Sequence, residues 1–256
     1  MSAIGHSNVN IGSMKADQSN RDYSKILDGA EISLQRRNSA SQIAIEQCTN
    51  GAIGITIETE RLMIVPVSRS DAADYHQFLF SRPTVMEKFA SGEVRDKAYV
   101  DGRIDTWVKR WESGDPFGGF AIRLKSGEFV GHVVLGHGDE PGRSEIAYLI
   151  REDMWHKGFG SEAARGIVQG LAPLLRAYGF SVEGKEFTLI DATARPDNPG
   201  SGKILANMGM NIVSTSEKFN AFREHFQREV ALPDSSKGWE IFVFEDRTIT
   251  LERDQK

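Results

Sequence analysis

The segment that decides the fold reads Arg143-Ser-Glu-Ile-Ala-Tyr-Leu-Ile150, Arg151-Glu-Asp-Met-Trp-His156, Lys157-Gly-Phe-Gly-Ser-Glu162, and runs on into an apolar-periodic stretch ending at Tyr178. Its parts read in turn as a strand, a loop, a glycine turn and a helix. In the helix, Ala164, Ile167, Val168, Leu171, Leu174, Leu175 and Tyr178 recur at three-, four- and seven-residue spacings, which makes one buried face. Pro173 denies Gln169 its helical hydrogen bond, so the helix is expected to kink or split there. A glycine turn that opens a helix after a strand is a site for phosphate groups. The first-turn N–H groups have no partner inside the helix, and the helix dipole adds partial positive charge. Gly158 and Gly160 remove the side chains that would hold a pyrophosphate away from the backbone. A glycine pair alone is more often an ordinary turn; the anchored helix behind it raises the weight of the anion site.

Upstream, Phe120, Ile122 and Leu124 alternate, Lys125-Ser-Gly127 turns the chain, and residues 130–135 return, which is a hairpin. A second turn over 136–143 leads into the strand 144–150. Val100, Ile104, Trp107, Val108 and Trp111 have helical spacing, stopped by Gly114-Asp-Pro116. Ser70-Asp71 caps an earlier helix with Ala72, Tyr75 and Leu79 inward, and Arg82-Pro83 ends it. Leu62, Ile64 and Pro66 mark a strand. Downstream come a loop over 179–185, a strand over 187–194, and a short helix over 199–208 capped by Asn198 and stopped by Gly209. Residues 211–214 and 239–244 read as strands. Between them Phe219, Phe222, Phe226 and Val230 fall at helical spacing, so residues 217–237 are expected to form an inserted helix. The order predicts a mixed α/β domain around one sheet, with an antiparallel meander and one helical crossover to a parallel strand.

The compact domain is expected over residues 52–250. Residues 1–51 form an N-terminal extension: polar and unpatterned to residue 20, then weakly amphipathic, with Tyr23, Ile26, Leu27 and Ala30 on one helical face and Ile43, Ile45 and Cys48 in a second segment. A net charge of −5 speaks against a nucleic-acid binder, which carries a basic excess, and mildly suits a cationic substrate. Cys48 is the only cysteine, which excludes an intrachain disulfide and any multi-cysteine metal site. No apolar run is long enough to span a membrane, and the N-terminus lacks a secretory pattern, so the expected home is cytoplasmic.

Element order and local motifs together resemble the GNAT acyl-CoA N-acyltransferases, and within them the RimJ/RimL-type branch that acetylates protein N-termini. The motifs, in order, are Glu58-Thr-Glu-Arg-Leu62, Pro83 to Glu87 with Val85 and Met86, Gly131-His132, Glu145-Ile-Ala-Tyr148, Trp155-x-Lys-Gly-x-Gly-x-Glu-Ala163 and Asn198-x-x-Ser201. The resemblance covers about residues 58–244. It implies a mostly antiparallel sheet flanked by helices, acetyl-CoA as co-substrate, no metal, a primary-amine acceptor, and no nucleic-acid or membrane partner, with room for a homodimer. It further implies that the pantetheine arm pairs with the backbone of Tyr148, Leu149 and Ile150, that the pyrophosphate sits on Lys157, Gly158, Phe159, Gly160 and Ser161, and that Asn198 touches the arm. Trp155 stands where Arg or Gln is usual, Met210 replaces an aromatic residue, and Leu205 replaces the tyrosine acid of many relatives.

Acetyl transfer from a thioester to an amine requires a deprotonated amine, a polarised carbonyl and a stabilised leaving thiolate; no covalent intermediate is needed. Glu145 is the first candidate base, against an ion-paired strand residue. His132 and His137 are alternatives, though a lone histidine in a hairpin is more often structural, and His156 reads as a loop residue near the cofactor, not a base. Ser201 is the candidate acid or thiol donor by resemblance, against a simple first-turn capping role. Trp107, Trp111 and Phe89 line an acceptor pocket or pack the core. Asp139, Glu140 and Asp115 attract a cationic amine or are solvated surface. The favoured reaction is acetylation of a protein or peptide N-terminus. The alternatives are a small-molecule amine (aminoglycoside, polyamine or amino acid) and a non-catalytic module that binds acyl-CoA or a partner.

Overall fold

A computed structural model describes residues 33–37, 41–47, 50–232, 240–243 and 249–252. The first helical face of the extension, Cys48, Trp239 and Phe244 lie outside the described residues. Four strands precede the first helix: β1 Ser33–Arg37, β2 Ser41–Gln47, β3 Ile53–Thr59 and β4 Leu62–Pro66. Then come α1 Ala72–Tyr75, α2 Pro83–Met86, α3 Lys97–Glu112, and the meander β5 Gly119–Leu124, β6 Phe129–His137 and β7 Arg143–Ile150. Helices α4 Phe159–Arg165 and α5 Ala172–Ala177 follow, then the small ribbon β8 Ser181–Val182 and β9 Lys185–Glu186. The described chain ends with β10 Leu189–Ala194, α6 Pro199–Asn207, β11 Asn211–Lys218, β12 Ala221–Glu229, β13 Glu240–Val243 and β14 Ile249–Glu252. One sheet runs β11-β12-β10-β7-β6-β5-β4-β3-β2-β1-β14-β13. Its neighbours are antiparallel except β7 with β10 and β1 with β14. The meander and the crossover to a parallel strand are as the sequence predicts.

Each face of the sheet has its own core. On one, Ile57, Ile64, Ile122, Val133, Leu135 and Ile146 pack against Ala164, Ile167, Val168, Leu171 and Leu175 of the long helix. On the other, Ala121, Val134 and Leu149 pack against Tyr75, Leu79, Ile104 and Trp107. Alternating strands produce this division, because successive side chains point to opposite faces. The helix passes Pro173 without breaking. Residues Gly166–Leu171 form a π-turn between α4 and α5, and the wider turn absorbs the missing donor.

Three expectations need correction. The inserted helix expected over 217–237 is not formed by residues 217–229, where β11 and β12 make a hairpin turned at Phe219 and Asn220, both at positive φ (57° and 58°). The mirror-image turn matches strand twist. Arg223 and Phe226 are both buried on opposite faces, while Phe222 and Phe226 share one face of β12, where a four-residue step is common to a strand and a helix. The weakly helical reading of the extension fails where it is described, since Ile43 and Ile45 lie on β2 and pair with β3, carrying the sheet upstream of residue 52. Finally, Ser68, not Ser70, caps the first helical turn, with Asp71 completing a capping box.

Candidate active site

β10 follows β7 for only three residue pairs, Leu189 with Arg143, Ile190 with Ser144 and Asp191 with Glu145. Beyond Glu145 the strands part. β7 continues to Ile150 paired with β6 alone, and β10 continues to Ala194 paired with β12 alone. The result is a fork with one unpaired backbone edge of β7 inside it. Arg151 N donates to Val130 O on β6 (2.9 Å). By alternation, Leu149 also turns its backbone to β6, while Tyr148 and Ile150 turn theirs into the fork. The side chain of Leu149 is buried in the core beside α3. At the mouth, Trp155 Nε1 donates to Ile150 O at 2.7 Å.

The glycine turn closes the outer end of the fork. Gly158 adopts φ +82°, a left-handed conformation that suits glycine, and no side chain caps the helix that follows. The first-turn amides of Phe159, Gly160 and Ser161 therefore remain available as donors. A Cβ on Gly160 would lie 3.3 Å from Ile204 Cδ1, so glycine lets α4 approach α6 and the end of β7. The turn is braced from behind. Glu162 accepts hydrogen bonds from Thr59 Oγ1 (2.5 Å), Arg61 N (2.9 Å) and Arg61 Nε (2.7 Å). Arg61 Nη1 also donates to Lys157 O (2.9 Å), and its guanidinium lies 4.5 Å from the centroid of the Phe159 ring. Burial alone would raise the Glu162 carboxyl, but the Thr59 and Arg61 hydrogen bonds outweigh it and hold it below its ordinary value. Sequence reading quotes Arg61 and Glu162 in separate motifs; their pairing becomes visible only in three dimensions.

The fork separates two kinds of polar group. Residues facing each other across an antiparallel pair share a sheet face, so Glu145, opposite Gly136, lies on the α1/α3 side. Tyr148, opposite Val133, lies on the α4/α6 side. Burial raises the Glu145 carboxyl above its ordinary value; Lys218, with Nζ at 3.8 Å, works in the opposite direction. On the other face the Tyr148 hydroxyl lies 3.0 Å from Ser201 Oγ and also donates to Ser201 O (3.2 Å). Burial pushes the Tyr148 phenol up to about 12, with the Ser201 hydrogen bond acting against it. Ser201 sits in the first turn of α6, where its N–H donates to the Asn198 side chain (3.3 Å). Sequence motifs imply only a backbone role for Tyr148; the side-chain bridge to Ser201 becomes visible with the fold.

The histidines and tryptophans fall away from the fork. His132 is fully buried, 3.0 Å from Tyr75 Oη and against the Trp107 ring; burial lowers it to about 3, against a hydrogen bond with the Phe120 backbone. It is a core residue that stays neutral. His137 lies on the face opposite Glu145 and pairs with Asp115 (3.0 Å), which also accepts from Phe117 N. His156 is an exposed loop residue at positive φ. Trp107 and Trp111 are core, admitted by Gly119 and Gly118, where a Cβ would lie 2.7 Å and 2.8 Å from the respective indoles. Phe89 is half-buried in the α2–α3 junction. Glu140 pairs with Arg143, and Asp139 receives Lys218 at 2.9 Å beside Glu145.

A parted pair of parallel strands beside a glycine turn that opens a helix offers one ligand a free backbone edge and, at its anionic end, a set of amide donors. Residues 61–211, more than half of the chain, match the acetyltransferase (GNAT) domain family. The chain belongs to that family and is an acyl-CoA-dependent N-acetyltransferase using acetyl-CoA. Solved structures agree on the fold. A GNAT-family acetyltransferase from Bacillus anthracis matches with a TM-score of 0.53 at 20% identity, over 68% of this chain and 98% of that one. RimL, a ribosomal L7/L12 alpha-N-protein acetyltransferase in complex with coenzyme A, matches with a TM-score of 0.54 at 13% identity, over 67% and 96%. A Salmonella typhimurium acetyl transferase that modifies the N-terminal serine of ribosomal protein L7/L12 matches at 0.54 and 14%, over 68% and 97%. Among the described residues no helix is long and apolar enough to cross a membrane.

Proposed function

We propose that this protein acetylates the α-amine of a protein or peptide N-terminus, in the manner of the RimJ/RimL-type branch. The observation that carries the reading is the fork itself, with a partly buried carboxylate on one face and paired hydroxyls on the other. The Lys157–Ser161 turn holds the pyrophosphate through the Phe159, Gly160 and Ser161 amides, with Lys157 adding charge. The free edge of Tyr148 and Ile150 pairs with the pantetheine amides, Trp155 releasing Ile150 O as the arm enters. Leu149 contributes packing in place of backbone contacts. Asn198 fixes the first turn of α6 beside the arm.

Glu145 takes the ammonium proton of the acceptor, directly or through a water. The freed amine attacks the thioester carbonyl; the N–C bond forms as the C–S bond breaks. The Ser201 hydroxyl, oriented by Tyr148, donates to the departing thiolate from the opposite face. The α2–α3 junction and the β11–β12 hairpin frame the acceptor entrance, which suits an extended chain end. The reaction needs neither nucleic acid nor a membrane surface, and we place it in the cytoplasm. Thiol release measured with N-terminal peptides, polyamines and aminoglycosides tests the assignment. Turnover confined to peptides is expected; turnover confined to small amines removes the peptide reading.

A further inference from the structure

Arg223 of β12 is 3% exposed, yet among the described residues no carboxylate lies within 4 Å of it. Nη2 donates to Ala90 O (2.7 Å) in the α2–α3 junction, and Nη1 reaches Thr193 Oγ1 at 3.4 Å on β10. Phe219 covers the guanidinium, 5.4 Å from ring centroid to Cζ. Nε is buried with no hydrogen-bond partner. The neighbouring cations are differently placed: Lys218 holds Asp139 and approaches Glu145, and Arg143 holds Glu140 and approaches Asp191. A buried charge without a counter-ion is costly, and an orphaned N–H adds to the cost. Burial accordingly depresses the Arg223 guanidinium below its ordinary value.

Thr193 and Asp191 share one face of β10, and Asp191 lies opposite Glu145, so Arg223 and Glu145 border the same side of the fork. They also influence each other electrostatically. We infer that Arg223 is a specificity-determining residue that receives a carboxylate carried by the acceptor a few bonds from its amine, while Glu145 receives the amine. This rests on the amine-acetylation reading above. Phe219, exposed at the hairpin turn, swings aside to admit the carboxylate, which then supplies the partner that the buried Nε lacks through a charge-assisted bond. The chemistry fits an N-terminal peptide with Asp or Glu at its first or second position, and equally a free amino acid.

The test compares isosteric acid and amide acceptors at saturating acetyl-CoA: peptides starting Ser-Asp against Ser-Asn, and free glutamate against glutamine with its α-carboxyl amidated. Wild-type kcat/KM should favour the acid by about tenfold or more, as expected of a site built around one polar group. In R223Q the preference should collapse toward unity, and R223K should restore part of it. Equal rates for acid and amide peptides in the wild type overturn the inference and leave the N-terminal reading standing. Acid preference seen only among free amino acids upholds it and overturns the peptide reading. A preference retained in folded R223Q overturns the assignment to Arg223. Should R223Q fail to fold, R223K decides: an acid preference unchanged from wild type overturns the assignment to Arg223, and a reduced one upholds it.

Discussion

The guanidinium of Arg61, at the β3–β4 turn, meets the carboxylate of Glu162, in the first turn of α4, at 2.6 Å. This contact ties the anion-binding turn to the rigid sheet, and Arg61 adds a second hold on Lys157 O. Glu162→Gln should loosen the turn. The loss of charge-assisted hydrogen bonds at a partly exposed pair is expected to cost about 1–2 kcal/mol. KM for acetyl-CoA should rise more than kcat falls. Because the folded Glu162 carboxyl sits below its unfolded value, its contribution is present above about pH 4.3 and fades as pH falls through the lowered folded value. Melting temperature should therefore drop more steeply with acid in the wild type than in Glu162→Gln.

Ser161→Asp separates helix stability from anion binding. An acid in the first helical turn favours the helix by about 0.3–1 kcal/mol. The same charge repels a pyrophosphate. Thermal denaturation without ligand should show unchanged or raised stability, while calorimetric titration should show CoA binding weakened at least tenfold. Undiminished CoA affinity removes the turn as the pyrophosphate site.

Glu145 should set the acid limb of the kcat/KM profile, shifted upward from that of a free glutamate because burial raises it. Lys218→Met removes a cation that opposes this rise, so the limb should move to higher pH. Glu145→Gln should reduce kcat by about 10²–10⁴ and abolish the limb. Because burial raises the folded Glu145 carboxyl above its unfolded value, keeping it ionised works against folding, so Glu145→Gln should not lower the melting temperature at neutral pH. An unaltered pH profile in this variant would show that Glu145 is not the base.

Tyr148 and Ser201 should act as one unit. Tyr148→Phe and Ser201→Ala are each expected to lower kcat, and the double variant should fall short of their sum by about 0.5–3 kcal/mol of coupling. Since burial holds the Tyr148 phenol near 12, its ionisation should leave no alkaline limb below pH 10. Strict additivity in kcat would mean that the bridge is structural only.

The glycine turn, the long helix, the β5–β6 hairpin, β7 and the Asn198 cap are legible in sequence because local chemistry determines them: positive-φ glycines, one-face periodicity and a capping side chain. The β11–β12 hairpin is not. Phe219 takes a left-handed conformation without the usual glycine, and burial of Arg223 on one face and Phe226 on the other hides the period-two pattern. β3 is readable in retrospect from the alternation of Ile53, Ile55 and Ile57, all buried. The candidate site is legible as a set of motifs. Contacts between motifs far apart in sequence, such as Arg61 with Glu162, Tyr148 with Ser201 and Arg223 with Ala90, need the fold. A helix in place of the β11–β12 hairpin would also hide Arg223.

The most direct measurement pairs thiol release with mass analysis of an N-terminal peptide acceptor whose internal lysine serves as a control. One acetyl group on the α-amine for each thiol released, with the lysine untouched, is the expected result. Thiol release without acetylated peptide, or acetylation of the lysine alone, contradicts N-terminal transfer.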